Sequence, residues 1–272
     1  MCRLYGFRAT EPTKVECTLV HAQNALMAQS RSDLAGVSHA HGWGVSTYED
    51  EGDGPHVERQ AWAAYHGEHF QRAAARIYAE SVVAHVRRAT VGPARVENTH
   101  PFVHERWTFA HNGTAPHFDK LRDRLLAATA PSHRAAIRGE TDSEHLFRYA
   151  LTLLDAGEAA ELRDIVARVV RDVLAWAREI APEARAGLNL MLTDGETLAG
   201  SRLGRPLVYV ARDGVYDCEI CGFPHIHHDP RTDYRAVVVA SEPITHEAWR
   251  EVPEASVWTV DLDRPGLEIA PL

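Results

Sequence analysis

The chain begins Met1-Cys2-Arg3-Leu4-Tyr5-Gly6-Phe7-Arg8, a stretch that places a cysteine directly before a predicted β-strand over residues 3–8. A small second residue generally permits removal of the initiator methionine, so Cys2 is predicted to carry both a thiol and a free α-amine. An α-amine titrates near ~7.7–8.0 and a thiol near ~8.5, so one residue would supply a base and a nucleophile close to neutral pH. Alone, a cysteine at this position is more often an ordinary residue, and the prediction depends on the motifs that follow.

Composition and charge narrow the classes of function. The chain has 272 residues, of which 45% are hydrophobic, and a formal net charge of −9. An acidic balance argues against general binding to nucleic acid or anionic membranes. No apolar run approaches the ~18–20 residues of a membrane-spanning helix, and no signal peptide pattern is present, which predicts a cytoplasmic protein. Four cysteines, unevenly spaced, do not make a disulfide framework.

Hydrophobic periodicity predicts strands first, then helices, then strands again. The first strands are predicted at residues 3–8, 45–48, 57–64, 81–86 and 107–111, the last ending at a turn formed by Asn112-Gly113. Helices are predicted at 15–26, 69–78, 118–128, 141–154 and 162–180. The later strands are predicted at 187–193, 197–201, 207–211, 235–240 and 257–260, with Asp213-Gly214 as a hairpin turn. This order favours an α+β fold of packed sheets with helical outer layers, and the lack of a Pro/Gly/Ser-rich linker favours one domain over residues 1–272.

Four further motifs follow the initial cysteine, and each falls at the end of a predicted strand, in a turn or at the start of a helix. They are His-Val-Arg-Arg-Ala-Thr-Val-Gly at 85–92, Asn-Thr-His-Pro at 98–101, His-Asn-Gly at 111–113 and Glu-Thr-Asp-Ser-Glu at 140–144. Each has a bland interpretation by itself, such as a helix cap or a turn. Their occurrence together, in this order, is specific.

This set resembles the class II glutamine amidotransferases, the N-terminal nucleophile hydrolases that use cysteine. The family pattern is Met-Cys, His-x-Arg-x-Ala-Thr-x-Gly, Asn-x-His-Pro, His-Asn-Gly and Glu-Thr-Asp-(Ser/Thr)-Glu, and every part is intact between Cys2 and Glu144. The resemblance implies a four-layer αββα sandwich. Relatives often have Asp before the Gly-Trp-Gly at 42–44, where this chain has His41.

The resemblance also implies roles for individual residues. Cys2 corresponds to the thiolate that attacks the substrate amide, and its α-amine to the proton shuttle. Asn112 and Gly113 correspond to the oxyanion hole. Arg87 corresponds to a bidentate clamp on the substrate α-carboxylate, and Asp142 to the acceptor of its α-ammonium. Thr90 and His100 are expected to line or support the pocket.

The implied reaction is attack of Cys2 on the side-chain amide of glutamine or of a γ-glutamyl amide, followed by hydrolysis of a γ-glutamyl thioester to glutamate. No cofactor is required. The residues after the motifs are too few for a phosphosugar or phosphoribosyl-transfer domain. The chain therefore resembles the short, stand-alone branch that includes the γ-glutamyl hydrolase of ergothioneine biosynthesis. It would hydrolyse its own substrate or supply ammonia to a separate synthase subunit, and it could form a homo-oligomer.

A cysteine–histidine segment lies outside those motifs. Cys218 and Cys221 form a Cys-x2-Cys pair, followed by His225 and His227. Zinc favours such ligands, although the spacing is shorter than in a zinc finger. The alternatives are a redox pair or a plain loop with small, partly buried cysteines, and the plain loop is favoured over a structural zinc. Cys17 lies among apolar positions and is interpreted as a core cysteine.

Two other functions remain open on the sequence. One is a catalytically silent relative that binds ligand, which a retained Met1 would favour because it blocks the α-amine. The other is a metal-dependent hydrolase that uses the histidines with Cys218 and Cys221.

Overall fold

A computed structural model describes residues 2–48, 54–226 and 233–272. Its strands are β1 (Arg3–Lys14), β2 (Trp43–Tyr48), β3 (His56–Gln60), β4 (Tyr78–Val86), β5 (Phe102–His104), β6 (Trp107–Thr114), β7 (Gly187–Thr193), β8 (Leu198–Arg202), β9 (Val208–Asp213), β10 (Arg235–Ala240), β11 (Arg250–Glu251), β12 (Ser256–Asp261) and β13 (Gly266–Pro271). Its α-helices are α1 (Leu26–Arg31), α2 (His69–Arg76), α3 (Phe118–Ala128), α4 (Pro131–Ala135), α5 (Asp142–Asp155) and α6 (Leu162–Ile180). A π-helical turn spans Cys17–His21 and a 3-10 turn spans Val96–Asn98.

The strands form two antiparallel sheets. The first has the order β11-β9-β10-β1-β4-β2-β3, and the second has the order β13-β12-β8-β7-β6-β5. β1 lies inside the first sheet, where Tyr5 is aligned with Ala240 of β10 on one side and with Ala84 of β4 on the other. Cys2, which immediately precedes β1, is therefore held at the end of a central strand.

Alternation along the strands divides the core into three parts, because successive side chains point to opposite faces of a sheet. Between the sheets, Leu4 and Val83 pack in one cluster with Met191 and Trp258. On the outer face of the first sheet, side chains such as Phe7 pack with α1, α2 and the π-helical turn. On the outer face of the second sheet, β6 and β7 pack against α3, α5 and α6. The four-layer αββα prediction is confirmed.

Several predicted elements have different bounds, and each difference has a local cause. The helix predicted over residues 15–26 is two short pieces, because Ala22 and Ala25 are extended, with ψ of 150° and 158°. The predicted strand 57–64 ends at Gln60, where its pairing with Trp43 of β2 ends. Asp213-Gly214 does not close a tight hairpin, because a long connection separates β9 from its partner β10.

The prediction that β6 ends in a turn at Asn112-Gly113 is also wrong. β6 continues through both residues to Thr114, and Gly113 is aligned with Leu188 of β7. Within the three described ranges, no helix is long and apolar enough to cross a membrane.

Candidate active site

Cys2 is brought into the interior by the start of β1. It is 8% exposed, and its Sγ lies 3.6 Å from the carbonyl oxygen of Arg88. Burial raises the pKa of the Cys2 thiol above its ordinary value, while the positive charge of Arg87 opposes that rise and the negative charge of Asp142 adds to it. The thiol therefore lies within electrostatic reach of both residues that the sequence assigned to substrate binding.

The backbone of Cys2 is fixed by a buried charge cluster. Arg3 donates from Nη1 to the Cys2 carbonyl oxygen at 3.1 Å, and its Nη2 pairs with Asp33 and, at 2.8 Å, with Glu242. His39 Nε2 is 2.9 Å from Asp33 Oδ2. Because two carboxylates surround one guanidinium, the cation is compensated in the interior. The Cys2 backbone is thus held, through Arg3, from two distant parts of the chain, residues 33–39 and Glu242.

Arg87 directly follows β4 and is largely buried. Its Nη2 donates to the carbonyls of Val91 and Gly92 at 2.8 and 3.0 Å, and its Nη1 donates to Pro93 at 2.9 Å. Burial lowers the pKa of Arg87, and the charges of Cys2 and Asp142 oppose that shift. Both Nη2 hydrogens are bonded to loop carbonyls, whereas Nη1 has one hydrogen left for a ligand. To bind a carboxylate through both nitrogens, Arg87 would have to exchange a loop carbonyl on Nη2 for a carboxylate oxygen.

Asp142 is the first residue of α5. Thr141 caps this helix by accepting from the Glu144 N–H at 3.2 Å. The Asp142 carboxylate accepts from the Ala115 N–H at 2.7 Å and from the Ser143 N–H at 2.9 Å. These contacts fix the carboxylate beside Ala115, two residues beyond Gly113 of β6.

Gly113 can only be glycine at this point in β6. Its φ is +156°, and a Cβ there would lie 1.8 Å from the carbonyl oxygen of Gly187. The neighbouring Asn112 side chain is 1% exposed, with Nδ2 at 3.3 Å from Ser241 Oγ. Its Oδ1 has no hydrogen-bond partner in the described part of the chain. The close approach of Gly113 to Gly187 holds the Asn112 side-chain amide and the Gly113 backbone at fixed positions. An oxyanion hole needs donors that are held in this way.

Thr90 and His100 occupy different environments. Thr90 is exposed, with Oγ1 at 3.3 Å from Thr114 Oγ1. His100 is buried, and its ring packs on His85 at 4.2 Å and on Phe102 at 4.7 Å between centroids. Burial lowers the pKa of His100 well below its ordinary value, so the ring is neutral. The structure thus places Thr90 at a surface cavity, whereas His100 is packed in the interior against His85 and Phe102 and does not line that cavity.

His41, the departure from the family pattern, supports the turn that carries Arg87. The ring Nδ1 of His41 accepts from the Ala89 N–H at 3.1 Å, and the backbone N–H of His41 donates to the Arg87 carbonyl at 2.9 Å. The His41 ring nitrogen thereby stabilises the backbone of the turn at Ala89.

An open cavity of about 740 Å³ is lined by Thr90, whereas Cys2, Arg87, Asn112, Gly113 and Asp142 are not among its lining residues. Thr90 to Gly92 and Thr114 to Ala115 form one side. Three arginines, Arg122, Arg185 and Arg205, and one carboxylate, Asp119, line the remainder. The Arg205 Nε is buried without a partner among the described residues. The cavity therefore has an excess of positive charge next to the Asn112-Gly113 strand.

The cysteine–histidine segment lies elsewhere. Cys218, Cys221 and His225 lie in the loop between β9 and β10, as the sequence predicted, and there they come together with Cys17. The interpretation of Cys17 as a core cysteine is incomplete, since it is buried but faces these three residues. His227 lies outside the described residues. Within the described ranges, no other group of histidine, cysteine and acidic side chains has a metal-ligand arrangement.

Ser241 and the Arg3 cluster were missed by sequence reasoning. Ser241 Oγ accepts from the Leu4 N–H at 2.9 Å as well as contacting Asn112. A single serine or arginine carries no local motif, and only the meeting of β1 with the end of β10 reveals these contacts.

Two sheets between helical layers, with a buried cysteine ahead of a central strand, define the N-terminal nucleophile class of amidotransferase folds. The sequence profile of the class II glutamine amidotransferases matches residues 1–263, so the chain belongs to that family.

Individual relatives agree with this assignment. The chain is 25% identical over 273 residues to YafJ of Escherichia coli K-12, which is named provisionally as a glutamine amidotransferase, covering 93% of this chain and 94% of YafJ. Its fold is similar to that of a glutamine aminotransferase class-II domain protein from Silicibacter pomeroyi, with a TM-score of 0.61, 22% identity and 99% of both chains covered. It is also similar to glutamine phosphoribosylpyrophosphate amidotransferase of Bacillus subtilis, with a TM-score of 0.62 and 16% identity, covering 99% of this chain and 49% of that one.

Proposed function

We propose that this chain hydrolyses the side-chain amide of glutamine or of a γ-glutamyl amide through a thioester on Cys2. The observation that carries the proposal is the placement of three buried groups at neighbouring element ends: Cys2 directly before β1, Arg87 directly after β4 and Asp142 at the start of α5. Asp142 accepts from the Ala115 N–H, next to the strand that bears Asn112 and Gly113. A nucleophile, a cation for a carboxylate and an anion for an ammonium are the three groups that a free γ-glutamyl end requires.

In the first step, Cys2 Sγ forms a bond to the γ-carbonyl carbon while its proton moves to the α-amine exposed by removal of Met1. Asn112 and Gly113 donate to the oxyanion that develops on the former carbonyl. The carbon–nitrogen bond then breaks, and the leaving nitrogen takes the proton from the α-amine. In the second step, water attacks the thioester, glutamate leaves, and the thiol is restored.

The size and charge of the cavity favour a γ-glutamyl amide with a larger amine as the substrate, in preference to glutamine itself. Its volume of about 740 Å³ lies within the range of small-molecule sites, and it begins at Thr90 and Thr114, next to the oxyanion strand. Three arginines against one aspartate favour an amine that carries an acidic group. No synthase domain is needed for such a reaction, although release of ammonia to a separate synthase subunit is the second outcome that the family admits.

The experiment combines intact-mass spectrometry with a glutamine-like electrophile, 6-diazo-5-oxo-norleucine. The expected result is a mass lacking Met1 and a single adduct on Cys2, with no adduct on a Cys2→Ala variant of nearly unchanged melting temperature. Retention of Met1 without labelling, together with binding of glutamine, would instead indicate a silent ligand-binding relative. Labelling that persists in Cys2→Ala would overturn the mechanism.

A substrate panel tests the amine. The three substrates differ in the group on the amide nitrogen. Glutamine has no substituent there, γ-glutamyl-methylamide has a small neutral one, and γ-glutamyl-glutamate has an acidic one. We expect the highest kcat/KM for γ-glutamyl-glutamate, and Arg205→Gln is expected to reduce that preference without changing labelling of Cys2. Equal kcat/KM values for the three compounds would contradict the acidic amine but leave the thioester chemistry standing. Activity that is lost with a chelator but resists a thiol alkylator would point to the metal-dependent alternative.

A further inference from the structure

Four potential metal ligands meet at the far end of β1 from Cys2. One ligand atom each from Cys17, Cys218, Cys221 and His225 lies within 4.8 Å of every other. Cys17 opens the π-helical turn that follows β1, and the other three lie in the connection between β9 and β10. Twelve residues of β1 separate this cluster from Cys2, a span of up to about 40 Å at 3.3 Å per residue.

The spacing of the ligand atoms suits a small ion. Zinc binds thiolate sulfur at about 2.3 Å and imidazole nitrogen at about 2.0–2.1 Å, so two sulfurs on a tetrahedral zinc lie about 3.8 Å apart. Cys221 Sγ and His225 Nε2 are already 3.4 Å apart. Closure around an ion therefore needs movements of no more than about 1 Å.

The backbone of the Cys-x2-Cys segment is shaped for ligation. The Gly222 N–H donates to the Cys218 carbonyl at 2.8 Å, and the Ile220 N–H points at Cys218 Sγ at 3.4 Å. An N–H directed at a sulfur stabilises the thiolate that metal binding requires. Gly222 adopts φ of +75° with open space around its Cβ position, so glycine is needed there for the turn and not for packing.

The other side of the cluster is tied to the fold. The Lys14 N–H donates to the His225 carbonyl at 2.8 Å, which joins the end of β1 to the β9–β10 connection. Cys17 is 6% exposed, whereas Cys221 is exposed. Cys17, Cys218 and His225 also line a cavity of about 550 Å³, and four protein ligands would fill the tetrahedral coordination of a zinc ion.

We propose that Cys17, Cys218, Cys221 and His225 form a structural zinc site that fastens the β9–β10 connection to the end of β1. Three thiolates and an imidazole are soft ligands that select zinc over magnesium or calcium, and four protein ligands are typical of structural zinc. A redox disulfide between Cys218 and Cys221 would use two of the four groups and leave Cys17 and His225 without a purpose.

The test measures zinc in the full-length protein after dialysis, by inductively coupled plasma mass spectrometry. We expect one zinc per chain in the wild type, loss of that zinc in Cys17→Ser and Cys221→Ser, and full retention in Cys2→Ala. Cobalt added to the zinc-depleted protein should give thiolate-to-cobalt charge-transfer bands and the intense visible bands of tetrahedral cobalt. Removal of zinc should lower the melting temperature. Zinc content, the cobalt spectrum and the melting temperature do not depend on the chemistry of Cys2, so these outcomes are independent of the proposed function.

Three outcomes would overturn the proposal. The first is a wild type that contains no zinc and gives no cobalt spectrum. The second is a mass lower by two hydrogens that maps to a Cys218–Cys221 disulfide. The third is zinc at full stoichiometry in Cys221→Ser. Cys221 is exposed, so this variant folds even if replacement of the buried Cys17 does not.

Discussion

The side-chain amide of Asn112 lies 3.3 Å from the hydroxyl of Ser241, which joins β6 of one sheet to the end of β10 in the other. The same hydroxyl accepts from the Leu4 N–H, while Asn112 Oδ1 is buried without a partner in the described ranges. A hydroxyl has one hydrogen to give, and turning the amide over would let Ser241 donate it to Oδ1. Asn112 Nδ2 would then no longer donate to Ser241, and its hydrogens would be available to the oxyanion of the proposed reaction. We therefore expect Ser241 to position Asn112 in the proposed reaction.

Ser241→Ala is expected to lower kcat for γ-glutamyl hydrolysis by roughly tenfold to a hundredfold, because the oxyanion donor loses its orientation. KM should change little, since the α-carboxylate and α-ammonium contacts remain. Steady-state kinetics separate the two constants. Ser201→Ala is the matched control, since Ser201 is a buried serine whose Oγ bonds only the backbone of Leu188 and Leu190. An equal loss of kcat in the control would assign the effect to packing.

Asp142→Asn is expected to raise KM about tenfold to a hundredfold, because a hydrogen bond to a charged partner contributes about 1.5–3 kcal/mol. The amide is the same size and keeps one oxygen for the Ala115 or Ser143 N–H. Asp164→Asn, at the exposed first turn of α6, changes the same charge at another helix start. An unchanged KM in Asp142→Asn would remove the ammonium-binding role.

Gly113→Ala is expected to abolish activity and to destabilise the fold by several kcal/mol, because its Cβ would overlap the Gly187 carbonyl oxygen. Gly157→Ala is the matched control. It also replaces a glycine of positive φ, +63°, but nothing lies within 4 Å of its Cβ position, so it should cost about 1–2 kcal/mol from φ alone. Thermal unfolding measures both, and similar melting temperatures would contradict the close contact.

Stability should fall with acid in a defined window. Burial lowers the pKa of His39 to about 4 and of His85 to about 3, and it also lowers that of His100. The unfolded imidazole titrates near ~6.5, so the unfolded chain binds more protons between pH ~6.5 and ~4. This stability is fully present above the window and is lost as pH falls through it.

Urea midpoints measured from about pH 8 to pH 5 test that dependence. We expect a constant midpoint down to about pH 7 and a steep fall below pH 6.5. His100→Phe should flatten the fall, because it removes one titrating ring at a site where both ring nitrogens lack partners in the described chain. A midpoint that stays constant to pH 5 would show that these histidines are protonated in the fold.

The sequence contained enough to predict the family, the four layers and the helices α3 and α6, because those depend on intact local motifs and on long apolar periodicity. It misjudged Asn112-Gly113, since that pair is a strong turn signal by composition. The structure uses Gly113 for a close approach to Gly187, which local composition does not encode.

Cys17, Arg3 and Ser241 could not be assigned from the sequence for a shared reason. Each contacts residues far along the chain, and its local pattern is that of an ordinary core or strand position. Cys17 is flanked by apolar residues in the same way as any buried cysteine, and only the return of the β9–β10 connection brings its partners.

The proposed function requires removal of Met1, and the burial of Cys2 directly before β1 then has a consequence for the order of events in the cell. A peptidase needs an extended, accessible stretch, yet β1 is hydrogen-bonded on both edges, to β10 and to β4. We therefore expect removal of Met1 to precede closure of the first sheet, during or soon after synthesis. Under the proposed mechanism, a molecule that folds with Met1 in place stays inert until it unfolds, so the active fraction of a preparation would report the relative rates of Met1 removal and folding.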